Sequence, residues 1–92
     1  MIGYAECECI IYDAQSLKDK RAVLQRILMR LKQRHNVSVS EIDFQDTWQR
    51  TKIGIVAITS NKVQTEKELN KALAMIDSFP EIERTVTSFD WL

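Results

Sequence analysis

The order in which two hydrophobic periodicities follow one another constrains the fold of this chain most. Polar and apolar residues alternate along residues 2–12 and 37–43, which predicts a strand in each. Residues 51–59 carry apolar groups on both faces and are expected to form a central strand, and residues 81–91 are expected to form the last strand. Two longer segments between them, at 16–35 and 60–79, repeat apolar residues at helical spacing. A β-α-β-β-α-β order within 92 residues predicts one antiparallel sheet with both helices on one face.

This arrangement is an α+β, ferredoxin-like βαββαβ sandwich, expected as a single domain over residues 1–92 with the strand order 4-1-3-2. Small apolar side chains line one face of the first strand: Gly3, Ala5, Cys7, Cys9 and Ile11. The first helix is expected to bury Leu17, Leu24, Ile27, Leu28 and Leu31. The second is expected to bury Val63, Leu69, Ala72, Leu73 and Ile76. Ser16 is predicted to cap the start of the first helix and Asn36 to end it in a left-handed conformation.

Charge is balanced over the whole chain but unevenly distributed along it. Lysine plus arginine number 13, as do aspartate plus glutamate. Residues 16–35 hold seven lysines and arginines and one aspartate, a net charge of +6, whereas the rest of the chain is acidic. The first helix is therefore predicted to carry a positive potential that zero net charge conceals. A basic helix face is typical of phosphate binding, but also of an ordinary solvated surface.

No grouping of reactive side chains points to catalysis. His35 is the single histidine and lies at a helix end, where a cation compensates the helix dipole. Cys7 and Cys9 are too few to complete a structural zinc site, and we expect inert core thiols. Glu41 and Asp43 are expected to share a strand face, without other signs of a cleft. We expect no enzyme activity, cofactor, metal ion or small-molecule substrate.

The sheet face away from the helices is the second surface of interest. It is expected to expose Tyr4, Ile10, Tyr12, Val56 and Ile58. RNA-recognition domains stack bases on aromatic residues of this face, but the third strand here has aliphatic residues instead. An apolar open face favours contact with another protein or with a second copy, which makes a homodimer the alternative prediction.

The start of the chain lacks the pattern of a signal peptide, and no apolar run approaches the length of a membrane span. Two unpaired thiols at positions i and i+2 of a strand also fit a reducing compartment. We therefore expect a cytoplasmic protein without a membrane partner.

Two segments resemble a known family of small bacterial proteins. Residues 16–21, Ser-Leu-Lys-Asp-Lys-Arg, resemble the opening of helix one in the YlxP-like family, a domain of unknown function. Residues 36–50 are similar to that family's N-V-S-V-x-E-x-x-x-x-D-x-W-Q-R signature. The resemblance covers essentially the whole chain and implies a ferredoxin-like fold without a known activity. The genes of that family often lie beside those for translation initiation and ribosome maturation, which implies an association with RNA or ribosomes.

These observations together favour a non-catalytic binding module for RNA or the ribosome. Phosphate, or an acidic partner, is expected to contact the first helix, and the hairpin tip is expected to add a stacking ring and a guanidinium. For Trp48, a position folded back on the sheet is an equal alternative. The candidate binding residues are Lys18, Arg21, Arg26, Arg30, Trp48 and Arg50.

Overall fold

A computed structural model describes residues 1–92 and confirms the predicted order of elements. The strands are β1 (Ile2–Ile11), β2 (Ser38–Asp43), β3 (Arg50–Ile58) and β4 (Ile82–Trp91), and the helices are α1 (Leu17–Arg34) and α2 (Lys62–Asp77). All strands pair antiparallel in one sheet of order β2-β3-β1-β4, which reads β4-β1-β3-β2 from the opposite edge. The chain is thus an α+β protein with a four-stranded sheet and two helices. Neither helix is both long and apolar enough to cross a membrane.

The two faces of β1 differ as the alternation predicts. Gly3, Ala5, Cys7, Cys9 and Ile11 are buried, while the residues between them keep partial contact with solvent. The buried side chains join those of both helices in one core, so both helices cover the same face of the sheet. The small residues on this central strand leave room for the helices to lie close to the backbone.

Gly3 marks the closest of these approaches. A Cβ atom at this position would lie 2.6 Å from Cγ2 of Thr65 on α2 and 2.7 Å from Cζ3 of Trp91 on β4. At Gly54 on β3, the nearest atoms to an added Cβ are 3.1 Å away, on Ile42 and Tyr4.

We expect Gly3→Ala to lower the free energy of unfolding by about 1–3 kcal/mol, because the added methyl group overpacks the core between α2 and β4. The matched variant Gly54→Ala meets only side-chain atoms on the open face and should cost clearly less. Urea denaturation of the two variants measures the difference. Equal losses for both variants would show that α2 is not packed tightly on Gly3.

Helix α1 begins as predicted and ends differently. The Ser16 hydroxyl accepts a hydrogen bond from the Asp19 amide, 3.0 Å away, while the Asp19 carboxylate accepts one from the Gln15 amide. The C-cap is His35 in an extended conformation, with its amide donating to the Leu31 carbonyl at 3.0 Å. The prediction of a left-handed Asn36 is therefore wrong, because the chain passes straight from the helix into β2.

The apolar stripes were predicted correctly in part. Helix α1 buries Leu24, Ile27 and Leu31, with Leu28 only partly buried at the margin. Helix α2 begins after Asn61, whose side chain accepts from the Gln64 amide, and it buries the predicted Leu69, Ala72, Leu73 and Ile76 together with Thr65. Val63, which was predicted to be buried, is 65% exposed. It lies in the first turn, on the side of the helix opposite to the stripe.

Candidate nucleic-acid interface

A buried lysine lies at the base of the candidate interface. The Lys20 side chain is only 1% exposed, because position 20 falls on the buried stripe of α1. Its ammonium group pairs with Oε2 of Glu41 at 2.9 Å, and the Thr51 hydroxyl donates to the same oxygen at 2.6 Å. The lysine also donates to the backbone carbonyl of Phe44. The charge is thus desolvated but paired, which is the condition under which a buried ion is tolerated.

This pair also corrects the prediction that Glu41 and Asp43 share a face. The pairing of β2 with β3 shifts register between these two residues. Glu41 lies opposite the buried Ile53, on the helix side, whereas Asp43 lies opposite Lys52, on the open face. An irregularity of one residue therefore separates the two carboxylates, and periodicity alone does not reveal it.

The loop of residues 44–49, which joins β2 to β3, is held in place at its start. Phe44 has a φ of 61° and is the one non-glycine residue with a positive φ. Its carbonyl accepts from Lys20 and from the Thr47 amide, the latter at 3.0 Å. The Arg50 guanidinium lies 4.1 Å from the centre of the Phe44 ring. These contacts hold a backbone conformation that a bulky residue rarely adopts.

The other end of the 44–49 loop is attached to the β1–α1 connection. The side-chain amide of Gln49 donates to the carbonyls of Tyr12 and Ala14, at 3.0 and 3.1 Å, and the Ile11 amide donates to the Gln49 carbonyl at 2.9 Å. Sequence reasoning did not single out Gln49. Its partners lie more than thirty residues away in the chain. The one sequence signal for Gln49 is its position in the family signature at residues 36–50.

Trp48 therefore lies on a loop that is fixed at both ends. Its side chain is 52% exposed, so about half of its surface is open to a stacking partner. An exposed indole on a fixed loop loses little conformational entropy when another ring stacks on it. The loop contacts α1 through Lys20, which precedes Arg21 directly and follows Lys18 by two residues in the first turns of the helix.

The exposed cations of α1 include the four predicted from the sequence and Lys32, and they lie on two flanks with different surroundings. On one flank, Nη2 of Arg26 lies 2.6 Å from Glu81, and this hydrogen bond lowers the pKa of the Glu81 carboxyl. The Arg30 guanidinium lies 5.5 Å from the Phe79 ring. On the other flank, Lys18, Arg21 and Lys32 are exposed and have no carboxylate within 4.0 Å. We call these three residues the basic stripe.

The open sheet face has a different character from the basic stripe. Arg50 pairs with Glu8 at 3.1 Å and Lys52 pairs with Glu6 at 3.2 Å. Tyr4 donates to Glu6 at 2.8 Å, and burial together with this bond raises the pKa of Tyr4 to about 12. Both cations are thus engaged by carboxylates. Arg50, which is expected from the sequence to present a guanidinium at the hairpin tip, is in contact with Glu8 and with the Phe44 ring.

The two thiols form a buried pair, with the Cys9 thiol donating to the Cys7 sulfur 3.8 Å away. This hydrogen bond lowers the pKa of Cys7 and raises that of Cys9. Arg84, held by Asp77 at 2.8 Å, also lowers the pKa of Cys7. It is an electropositive neighbour that the sequence near the thiols did not reveal. The chain gathers no group of three or more potential metal ligands.

The two segments that carry the family resemblance meet at this interface. The first supplies Ser16, Lys18, Lys20 and Arg21, and the second supplies Glu41 and the 44–49 loop. They are separated in the chain by the fourteen residues 22–35. The ion pair of Lys20 with Glu41 joins them in space.

Comparison with known proteins agrees with this resemblance. Residues 2–89 match the family described as protein of unknown function DUF503. The chain is similar to the uncharacterized protein YlxP of Bacillus subtilis (strain 168), with 69% identity over 91 residues that cover 99% of each chain. The match spans every helix and strand described above, so the chain belongs to the DUF503 family.

Proposed function

We propose that this chain is a non-catalytic RNA-binding module whose binding surface combines Trp48 with the basic stripe of Lys18, Arg21 and Lys32. The observation that carries the proposal is the half-exposed Trp48 on a loop pinned to the first turns of α1. An exposed aromatic ring on a loop attached to a basic helix offers the two kinds of contact that proteins make with single-stranded nucleic acids: bases stack on the ring and phosphates bind the cations.

The charges support α1 rather than the sheet as the RNA-binding face. The open face carries Glu6 and Glu8, and its cations are already paired with them. The basic stripe extends from Lys18 to Lys32, a rise of 14 residue steps and about 21 Å at 1.5 Å per residue. Several phosphates fit along that length, and their counterions would be released on binding. Arg26 and Arg30 lie on the other flank of α1, where they are already in contact with Glu81 and Phe79.

Reversing two charges of the basic stripe is expected to weaken RNA binding and to reduce its dependence on salt. In Arg21→Glu/Lys32→Glu, two phosphate contacts are lost. The slope of the logarithm of the binding constant against the logarithm of salt concentration should therefore become less steep by about 1.4 for a single strand. The matched control is Lys67→Glu/Lys71→Glu on α2, which changes net charge equally. Fluorescence anisotropy with a labelled oligoribonucleotide at several salt concentrations measures both. Equal weakening by the two variants would contradict a local binding surface.

We infer further that the fold is ferredoxin-like, that the RNA is ribosomal, and that the protein acts in the cytoplasm. Two β-α-β units whose helices share one face of the sheet support the first inference. The family resemblance supports the second, and the pair of free buried thiols supports the third. Sedimentation of the protein with ribosomal subunits, at low and at high salt, tests the ribosomal target.

Self-association is the second candidate, and exposed apolar residues at one end of the open face support it. Ile2, Val56 and Ile58 lie together there, since Ile2 pairs with Ile58 across the β1–β3 ladder. A second copy of the chain would bury them. Sedimentation equilibrium distinguishes the two functions, because a dimer of this kind forms at high salt and without RNA.

A further inference from the structure

A groove separates α2 from the edge strand β4, at the end of the sheet away from the 44–49 loop. Its volume is about 250 Å³, and it is lined by Lys62, Glu66, Asn70, Phe89 and Trp91. The three helix residues are spaced by four and so lie along one flank of α2. The two aromatic residues lie on the helix side of β4, opposite the buried Ala5 and Gly3 of β1.

The groove already holds a cation on one of its aromatic rings. The Lys62 ammonium lies 5.0 Å from the centre of the Trp91 ring, within the range of a cation–π contact. Glu66, four residues further along the helix, has no cation within 4.0 Å. The groove therefore contains both an aromatic ring that accepts a cation and a carboxylate that lacks one.

The edge of β4 beside this groove is open to strand addition. β4 pairs only with β1, and its other edge has no partner in the sheet. Residues 85–89, Thr-Val-Thr-Ser-Phe, carry no charge, and Val86 and Phe89 are exposed. Natural proteins usually protect such an edge with charged side chains or a covering element. Alternate side chains of an added strand would point towards α2, into the groove.

We propose that the α2–β4 groove binds an extended segment of another protein that contains an arginine or lysine. The segment adds to β4 as a further strand. Its cationic side chain displaces Lys62 from the Trp91 ring and pairs with Glu66. The positive side chain is what this groove selects, because its ring and its unpaired carboxylate both favour a cation. This surface uses none of the residues assigned above to RNA.

The test is binding of two synthetic peptides, acetyl-Val-Thr-Val-Arg-Val-Thr-Val-amide and the same sequence with glutamate in place of arginine. Amide chemical shifts are followed by NMR at a series of peptide concentrations. We expect the arginine peptide to shift the amides of residues 86–91. The glutamate peptide should bind at least several-fold more weakly.

Three variants of exposed α2 positions make the assignment specific. Lys62→Ala removes the competing cation and should tighten binding about three-fold, as expected for an exposed cation–π contact. Glu66→Gln should weaken it about three-fold. Lys67→Ala, outside the groove, should leave it unchanged. Equal binding of both peptides, or weaker binding by Lys62→Ala, would overturn the proposal. The proposal would also be overturned if the amide shifts of residues 86–91 changed with protein concentration in the absence of peptide. A second copy of the chain, rather than another protein, would then occupy the edge of β4.

Discussion

Replacing Glu41 with alanine is expected to lower the free energy of unfolding by about 3 kcal/mol. The substitution leaves the ammonium of Lys20 buried without its carboxylate, and breaking a buried ion pair on one side costs about 3–5 kcal/mol. The lower end of that range applies because Lys20 keeps its bond to the Phe44 carbonyl. Urea denaturation measures the loss.

Two further variants separate the charge from the packing in this prediction. Lys20→Met keeps the apolar stem of the lysine and leaves Glu41 without its partner. Because Glu41 is partly exposed and can reach water, this variant should lose less unfolding free energy than Glu41→Ala. The double variant Lys20→Met/Glu41→Leu should be more stable than Glu41→Ala alone. Stability of Glu41→Ala within about 1 kcal/mol of the wild-type protein would show that the pair is not buried, since exposed pairs contribute about that or less.

Leu31→Ala is expected to lower the free energy of unfolding by about 2–5 kcal/mol, because it leaves a cavity where α1 meets the sheet. Leu31 is fully buried and belongs to the core shared by both helices. Leu28→Ala is the matched control on the same helix. Leu28 is only partly buried, so Leu28→Ala should lower the free energy of unfolding by less, although helical spacing puts both residues on one stripe. A larger loss for Leu28→Ala in urea denaturation would mean that α1 is rotated about its axis.

The periodicities were enough to predict the elements and the faces they bury. Alternation along β1 predicted its buried side chains, and helical spacing predicted Ile27, Leu31 and Leu69 as core residues. The failures lie where the chain leaves a regular repeat. Val63 lies in the first turn of α2, where one apolar residue does not define a stripe, and the register shift in β2 moves Asp43 to the other face.

The candidate interface was predictable in its residues but not in its contacts. The basic character of α1 follows from the sequence, and the buried stripe places Lys20 towards the packed side. Its partner Glu41 lies 21 positions later, and Arg26 meets Glu81 in the turn between α2 and β4. Which cations remain free depends on these tertiary contacts, and no local pattern encodes them.

Fluorescence of Trp48 during titration with RNA is a direct test of whether a base stacks on this ring. In a Trp91→Phe background, Trp48 is the one tryptophan, and stacking of a base on its ring should quench its emission. Each stacked base contributes about 1–3 kcal/mol of binding free energy, so Trp48→Ala should also weaken binding by that amount. We expect saturable quenching by a single-stranded oligoribonucleotide, reduced by salt and by Arg21→Glu/Lys32→Glu. If the oligoribonucleotide binds, as detected by anisotropy, but Trp48 emission does not change, Trp48 is not part of the binding surface. If nothing binds even at low salt, the chain is not an RNA-binding module.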